Sequence, residues 1–256
     1  MSQEIEHWRS YDEWGVIRVV DQGPYRFLCF NDELMTEQSC MITHMPEWIE
    51  FDYVQAMLLS AALHASPRRA LLFGLGGATL ANALRRFFPS LEMDIVELRP
   101  DVLTIAERFF HFNADDPLTH VHITDALEYL GRPDLPQYDL ILCDIYLEEG
   151  MATAQGTGPF VELCNRLLAP KGIIIYNQWQ LGETGRPTNE ALFAAHYPDR
   201  YWLLPVDEGN VAVVAFLDDV LDWPLPKEEI DRIKQLGRQH QITVGRLMSR
   251  LSPPKR

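Results

Sequence analysis

Two acids and one glycine-rich turn stand where they could hold a nucleoside. Phe73-Gly74-Leu75-Gly76-Gly77-Ala78-Thr79 separates an apolar run from a helical stretch, and missing side chains there let a ligand approach the backbone and the free N–H groups of a helix start. Alone, the segment reads equally as a tight strand-to-helix turn needing positive φ at one glycine. Glu97 closes the next apolar run twenty-three residues after Gly74, where a carboxylate can accept hydrogen bonds from both ribose hydroxyls. Asp125 follows the third run, in HVHITDAL, and either reaches an adenine amino group or caps the helix Ala126 to Leu130. Asp144 ends a fourth run, Tyr138 to Asp144.

These residues need a frame that brings their run ends together. From Ala70 onward apolar runs alternate with helical stretches: Ala70 to Phe73, Thr79 to Phe88, Glu92 to Val96, Asp101 to Phe110, His120 to Ile123, Ala126 to Leu130, Tyr138 to Asp144, Pro159 to Leu168, Gly172 to Tyr176. Such alternation predicts parallel βαβ units whose strands are buried on both faces. Tyr201 to Pro205 and Val211 to Leu217, joined by Asp207-Glu208-Gly209-Asn210, predict an antiparallel hairpin closing the sheet. Ahead of it, WGVIRVVDQG and YRFLCFNDEL within residues 14 to 35 predict a β-hairpin, and a helix follows from Phe51. One amphipathic helix is expected over Glu228 to Leu251. The expected organisation is a β-rich region at 1–50, a nucleoside-binding domain at 51–222, and a C-terminal helix with a basic tail at 223–256.

Composition narrows the chemistry. At 256 residues, 47% hydrophobic and 23% charged, the chain can bury a sizeable core. Its longest uncharged stretches, Tyr53 to Pro67 and Ala70 to Leu84, are too short to span a bilayer, and the amino terminus lacks the apolar core of a secretory signal. The expectation is a cytoplasmic protein with buried, reduced Cys29, Cys40, Cys143 and Cys164. A formal net charge of −15 repels nucleic acid. Residues 227 to 256 run against that balance with eight bases and three acids; they either pair with an acidic neighbour or anionic surface, or form the solvated face of a terminal helix. The eight histidines fall in no H-E-x-x-H pattern, and neither a G-x-S-x-G elbow nor a P-loop G-K-[ST] occurs, so the chemistry must come from a cofactor. Thr79 in place of a third glycine, and a hairpin in place of a second nucleotide-binding half, favour a mononucleoside over a dinucleotide.

Glycine turn, ribose acid, base acid and terminal hairpin together resemble the Rossmann-like methyltransferase fold that binds S-adenosylmethionine. Within it LLFGLGGATLANALRRFFP, DIVELRPDVLTIAERFF, HITDALEYL, YDLILCDIY and LLAPKGIIIYN, in that order, resemble the spermidine synthase (polyamine aminopropyltransferase) family over roughly residues 14 to 220, with Gln38-Ser39 in a β-rich leader. The resemblance implies a mostly parallel seven-stranded sheet ending in an antiparallel hairpin, with a small N-terminal β-hairpin region. It implies that Gly74, Gly76, Gly77, Glu97, Asp125, Ala126 and Gln38 hold the adenosine part, that Asp144 faces the transferred group, and that a homodimer forms through Tyr11, Trp14 and the hairpin around Arg26. Three places depart from the family: Asp144-Ile145-Tyr146-Leu147 has leucine for the motif's second acid, Gly74-Leu75-Gly76-Gly77-Ala78 lacks the acid that grips an aminopropyl amine, and Tyr53-Val54-Gln55 stands for Tyr-His-Glu.

Glycine at position 77 bears on the cofactor. An acid there would pair with the ammonium of decarboxylated S-adenosylmethionine and repel the carboxylate of S-adenosylmethionine. Exposed helix N–H groups would favour that carboxylate by up to ~2 kcal/mol. Glu148 and Glu149 either collect a cationic amine or are loop surface, and Tyr146 and Trp179 either wall an acceptor pocket by stacking or pack as core or lid. The expected function is transfer of an alkyl group, aminopropyl or methyl, from S-adenosylmethionine or its decarboxylated form to a small cationic amine. The alternative is a non-catalytic homologue that binds the nucleoside or a polyamine as a sensor or assembly subunit.

Overall fold

Alternating apolar and polar residues at the start of the chain build strands that each show one face to a core. A computed structural model describes residues 4–32, 37–147, 150–151, 153–218, 222–240, 242 and 244–254. Strands β1 (Glu4–Asp12), β2 (Gly15–Gln22), β3 (Tyr25–Cys29) and β4 (Glu37–Ile42) form an antiparallel sheet in that order. The hairpin read from residues 14 to 35 is β2–β3, but the leader holds two further strands. β1 escaped notice because it is a charged edge: its first four residues are exposed and no apolar alternation marks it.

Helix α1 (Asp52–Ala61) is buried at every position from Val54 to Ala61, as suits a helix apolar almost all round. Then follow β5 (Arg69–Phe73), α2 (Thr79–Phe87), β6 (Glu92–Glu97), α3 (Pro100–Phe109), β7 (Thr119–Ile123), α4 (Ala126–Leu130) and β8 (Tyr138–Cys143). Two short strands, β9 (Tyr146–Leu147) and β10 (Gly150–Met151), pair with each other. After a 3-10 turn at Thr153–Gly156 come α5 (Gly158–Leu167), β11 (Leu168–Trp179), α6 (Glu190–His196), β12 (Tyr201–Pro205) and β13 (Asn210–Ala215).

These strands form one seven-stranded sheet in the order β12-β13-β11-β8-β5-β6-β7, with β13 antiparallel to both of its neighbours. Its residues are buried on alternate faces in two apolar layers. Leu72, Leu142 and Ile175 face α1 and the leader sheet, while Leu71, Ile141 and Ile174 face the α5–α6 side. The chain runs outward from β5 to β7, then returns to β8 on the other flank of β5. A crevice opens outside the carboxyl ends of strands at such a reversal. Gly74 and Asp144 are the first residues past the two strands that flank it, and the Asp144 amide donates to the Phe73 carbonyl at 3.0 Å.

The leader sheet is fastened to this frame by Arg99, whose side chain is 1% exposed. Its guanidinium donates two 2.8 Å hydrogen bonds to Asp12 and one to the Gly15 carbonyl, and it lies over the Phe30 ring. Arg26, expected near a dimer contact, turns inward to Asp21 and the Phe109 carbonyl. The four cysteines are buried and form no disulfide. The single C-terminal helix expected is in fact two, α7 (Lys227–Gln239) and α8 (Val244–Met248). The chain doubles back, and Val244 packs so closely on Gly237 that no β-carbon would fit there. The basic tail finds acidic partners in its own chain: Arg246 pairs with Asp52 and Asp207, and Arg250 with Asp207. None of the helices is long and apolar enough to cross a membrane, among the described residues.

Candidate functional site

The β5–β7 side of the crevice is built by backbone. Gly74 has φ +93°, and a β-carbon on it would lie 2.2 Å from the Asp144 carbonyl oxygen, so only glycine lets the ends of β5 and β8 approach this closely. Glu97, at the tip of β6, sends its carboxylate across the turn. One oxygen accepts the Leu75 amide and the other the Arg99 amide, each at 2.9 Å. It is 7% exposed, and burial raises its pKa against the lowering effect of those amides. The carboxylate therefore shapes the glycine turn, with the Gly76 and Leu98 amides also turned toward it.

Asp125 is exposed at the tip of β7 and caps α4, its Oδ1 accepting the amides of Leu127 and Glu128. Its Oδ2 has no partner among the described residues, so capping and binding of an amino group are compatible. Ala126 opens α4 beside it. Gly76 follows in the turn with φ +51°.

Position 77 differs from the expectation. The Gly77 amide is already taken, donating to the Ser39 hydroxyl at 2.8 Å, and the space a side chain would need is filled by Ser39 and Phe110. Glycine stands here because β4 lies against the turn. The argument for a methionine carboxylate at this amide loses its donor. Gln38, next to Ser39, presents its carbonyl to the Tyr53 hydroxyl at 3.4 Å.

The β8–β13 side is built by side chains from four elements. Asp144 receives a 2.8 Å hydrogen bond from Asn177 Nδ2, on β11. Burial pushes its pKa up to about 6, with the Asn177 amide pulling the other way. Asn210, the first residue of β13, donates to Asn177 Oδ1 at 2.9 Å. The Tyr146 hydroxyl meets the Asn177 carbonyl and the Asn210 amide, both at 3.4 Å, and its ring centroid is 6.1 Å from that of Trp179, which is 45% exposed. Burial and then the nearby Asp144 push the Tyr146 phenol up, and the Tyr53 phenol of α1 likewise. Glu148 and Glu149 lie outside the described residues.

Tyr53 is held in place from outside. Glu208, in the β12–β13 turn, accepts the amides of Asp52 and Tyr53 and so caps α1, while Arg246 clamps Asp52 to Asp207 beside it. Gln155, fully buried in the 3-10 turn, donates to the Ile145 carbonyl and braces the loop after Asp144. Sequence reasoning missed Asn177, Asn210, Glu208 and Gln155 as site residues. Asn177-Gln178 carried a signal, since two carboxamides follow the wholly apolar run Gly172 to Tyr176; Asn210 was hidden inside a segment read as turn chemistry.

Taken together, the crevice joins a backbone cradle with a ribose-type acid to a buried carboxyl poised near neutrality and walled by aromatic rings. That arrangement can bind a nucleoside and take a proton from a group beside it. Comparison with known proteins points the same way. Residues 39–184 match the Spermine/spermidine synthase domain. A polyamine aminopropyltransferase of Vibrio vulnificus is 32% identical over 174 residues, spanning 66% of this chain and 57% of that protein. One from Chromobacterium violaceum is 26% identical over 235 residues, covering 90% of this chain and 88% of its own. Human methyltransferase-like protein 13, solved in complex with SAH, superposes with a TM-score of 0.64 at 25% identity, over 75% of this chain and 93% of that one.

Proposed function

Because the chain belongs to the spermine/spermidine synthase domain family, we propose that it transfers an aminopropyl group from decarboxylated S-adenosylmethionine to a small cationic amine, with Asp144 as the proton acceptor. The observation that carries this reading is the pairing across Gly74 of two unlike carboxyls, Glu97 bonded to backbone amides and Asp144 poised near pH 6. When bound, the nucleoside would supply a sulfonium-activated carbon for the amine nitrogen to bond, the carbon–sulfur bond breaking and the sulfur leaving as a neutral thioether nucleoside. Glu97 and Asp125 hold the sugar and base. Asp144 draws the amine toward the tip of β8 and takes the proton it must lose before its lone pair can attack. Tyr146, Trp179 and Tyr53 wall the amine and keep water out, so that orientation supplies much of the rate. The missing second acid leaves Asp144 to attract the cation with aromatic faces in place of a second charge.

Methyl transfer from S-adenosylmethionine is the second reading, favoured by the absence of an acid at Gly77-Ala78 to grip an aminopropyl ammonium. Incubation with putrescine and each labelled nucleoside separates the two, and binding without product with either would leave a sensor. Asp144→Asn should lower turnover at least a thousandfold while nucleoside affinity stays within about threefold. Glu97→Gln should do the reverse, weakening nucleoside affinity at least about tenfold. Unchanged turnover in the first variant removes Asp144 from its role; unchanged affinity in the second removes Glu97.

A further inference from the structure

Three adjacent strands, β8, β11 and β13, end in a chain of side-chain hydrogen bonds running from Asn210 to Asn177 to Asp144. The direction of this chain is fixed by chemistry. An ionised carboxylate only accepts, so Asn177 must turn its NH2 toward Asp144, which leaves its carbonyl oxygen facing Asn210. Asn210 must then present its own NH2. The Tyr146 hydroxyl, whose proton goes to the Asn177 backbone carbonyl, leaves a lone pair for the second Asn210 hydrogen. Reversal of the Asn177 carboxamide would set its oxygen against Asp144, an arrangement stable only when the carboxyl carries a proton.

We propose that Asn210 is a positioning residue that fixes which end of the Asn177 carboxamide meets Asp144, and so keeps Asp144 in the ionised form that accepts a proton. The inference rests on the reading of Asp144 as proton acceptor. The surroundings leave this task to the amides. Tyr53 faces Asp144 from α1 and Tyr146 from the loop that follows, while Cys143 precedes it with its thiol against Cys164 on the opposite face. From β5 only the glycine backbone approaches, and no lysine or arginine forms an ion pair with Asp144 among the described residues. Burial pushes the carboxyl toward neutrality, and Asn177 is the hydrogen-bond donor that opposes it.

Two variants of similar size test the relay. Asn210→Leu removes the donor that holds Asn177, and Asn210→Asp offers only acceptors and calls for the reversed carboxamide. The Asp144 carboxyl is followed by 13C NMR in aspartate-labelled protein, its resonance assigned from Asp144→Asn, with no nucleoside or amine present. Its midpoint should rise by about one pH unit in Asn210→Leu and by more in Asn210→Asp, where one unit is a tenfold change in the proton equilibrium. In parallel, kcat for putrescine with decarboxylated S-adenosylmethionine should fall about tenfold below the wild-type midpoint and recover to within about threefold two units above it, with KM little changed. An unmoved carboxyl midpoint in both folded variants overturns the relay, as does a kcat loss equal at every pH. If the midpoint shifts as stated but wild-type protein turns over no amine with either nucleoside, the relay stands and the transfer reading fails.

Discussion

The two flanks of the crevice are built by different means. On the β5–β7 flank, the glycine turn, Glu97 and Asp125 come from 52 consecutive residues, each at a strand tip, and most of their contacts are to backbone amides. On the β8–β11–β13 flank, Tyr53, Asp144, Asn177 and Asn210 are spread over more than 150 residues, and the last three touch one another through side chains. A backbone cradle suits a ligand part that does not change, whereas a side-chain wall can be revised one residue at a time. The departures from the family's motifs fall mostly on the second flank, as that difference leads one to expect.

The contrast can be broken at the point where the flanks meet. Gly74→Ala puts a methyl group against the Asp144 carbonyl in a left-handed conformation, and should destabilise the fold by about 2–4 kcal/mol and abolish both nucleoside binding and turnover. Calorimetric melting and nucleoside titration read this; a variant that binds normally would show that the flanks are independent.

A pH experiment sharpens it next. Asp144 has a folded-state pKa raised from 3.8 to about 6, so the folded protein holds that proton more tightly than the unfolded chain. Its contribution to stability therefore grows as pH falls from about 7 to about 4, on the order of 2 kcal/mol, while turnover declines over the same range. Glu97 is raised too, so the quantity to measure is the wild type minus Asp144→Asn in urea unfolding at several pH values. A difference independent of pH would place Asp144 in water.

The smallest effect belongs to the outer clamp. Arg246→Ala should cost less than about 1 kcal/mol, less still in high salt, because Arg246 and Asp207 are solvent-exposed and Asp52 is only half-buried. A loss that salt does not diminish would mean that the C-terminal helices hold α1 by packing rather than by charge.

How much of this was legible in the sequence follows the same division. The βαβ alternation, the closing hairpin and the placing of Glu97 and Asp144 at strand ends could be read because period, strand ends and turn glycines are local signals. β1 could not, since an edge strand of charged residues carries no burial pattern. Gly77 was misjudged because its neighbour Ser39 arrives from a distant strand. Asn177 and Asn210 meet only after β13 has been laid against β11, a register no local pattern reveals.

Arg99 ties two ends of the molecule into one mechanical unit. Its amide steadies the ribose-type acid while its guanidinium grips the first hairpin of the leader. A displacement of the leader sheet would thus be felt at the Glu97 carboxylate through Arg99, and at the glycine turn through Ser39 against the Gly77 amide, so that strands and turn move as one piece.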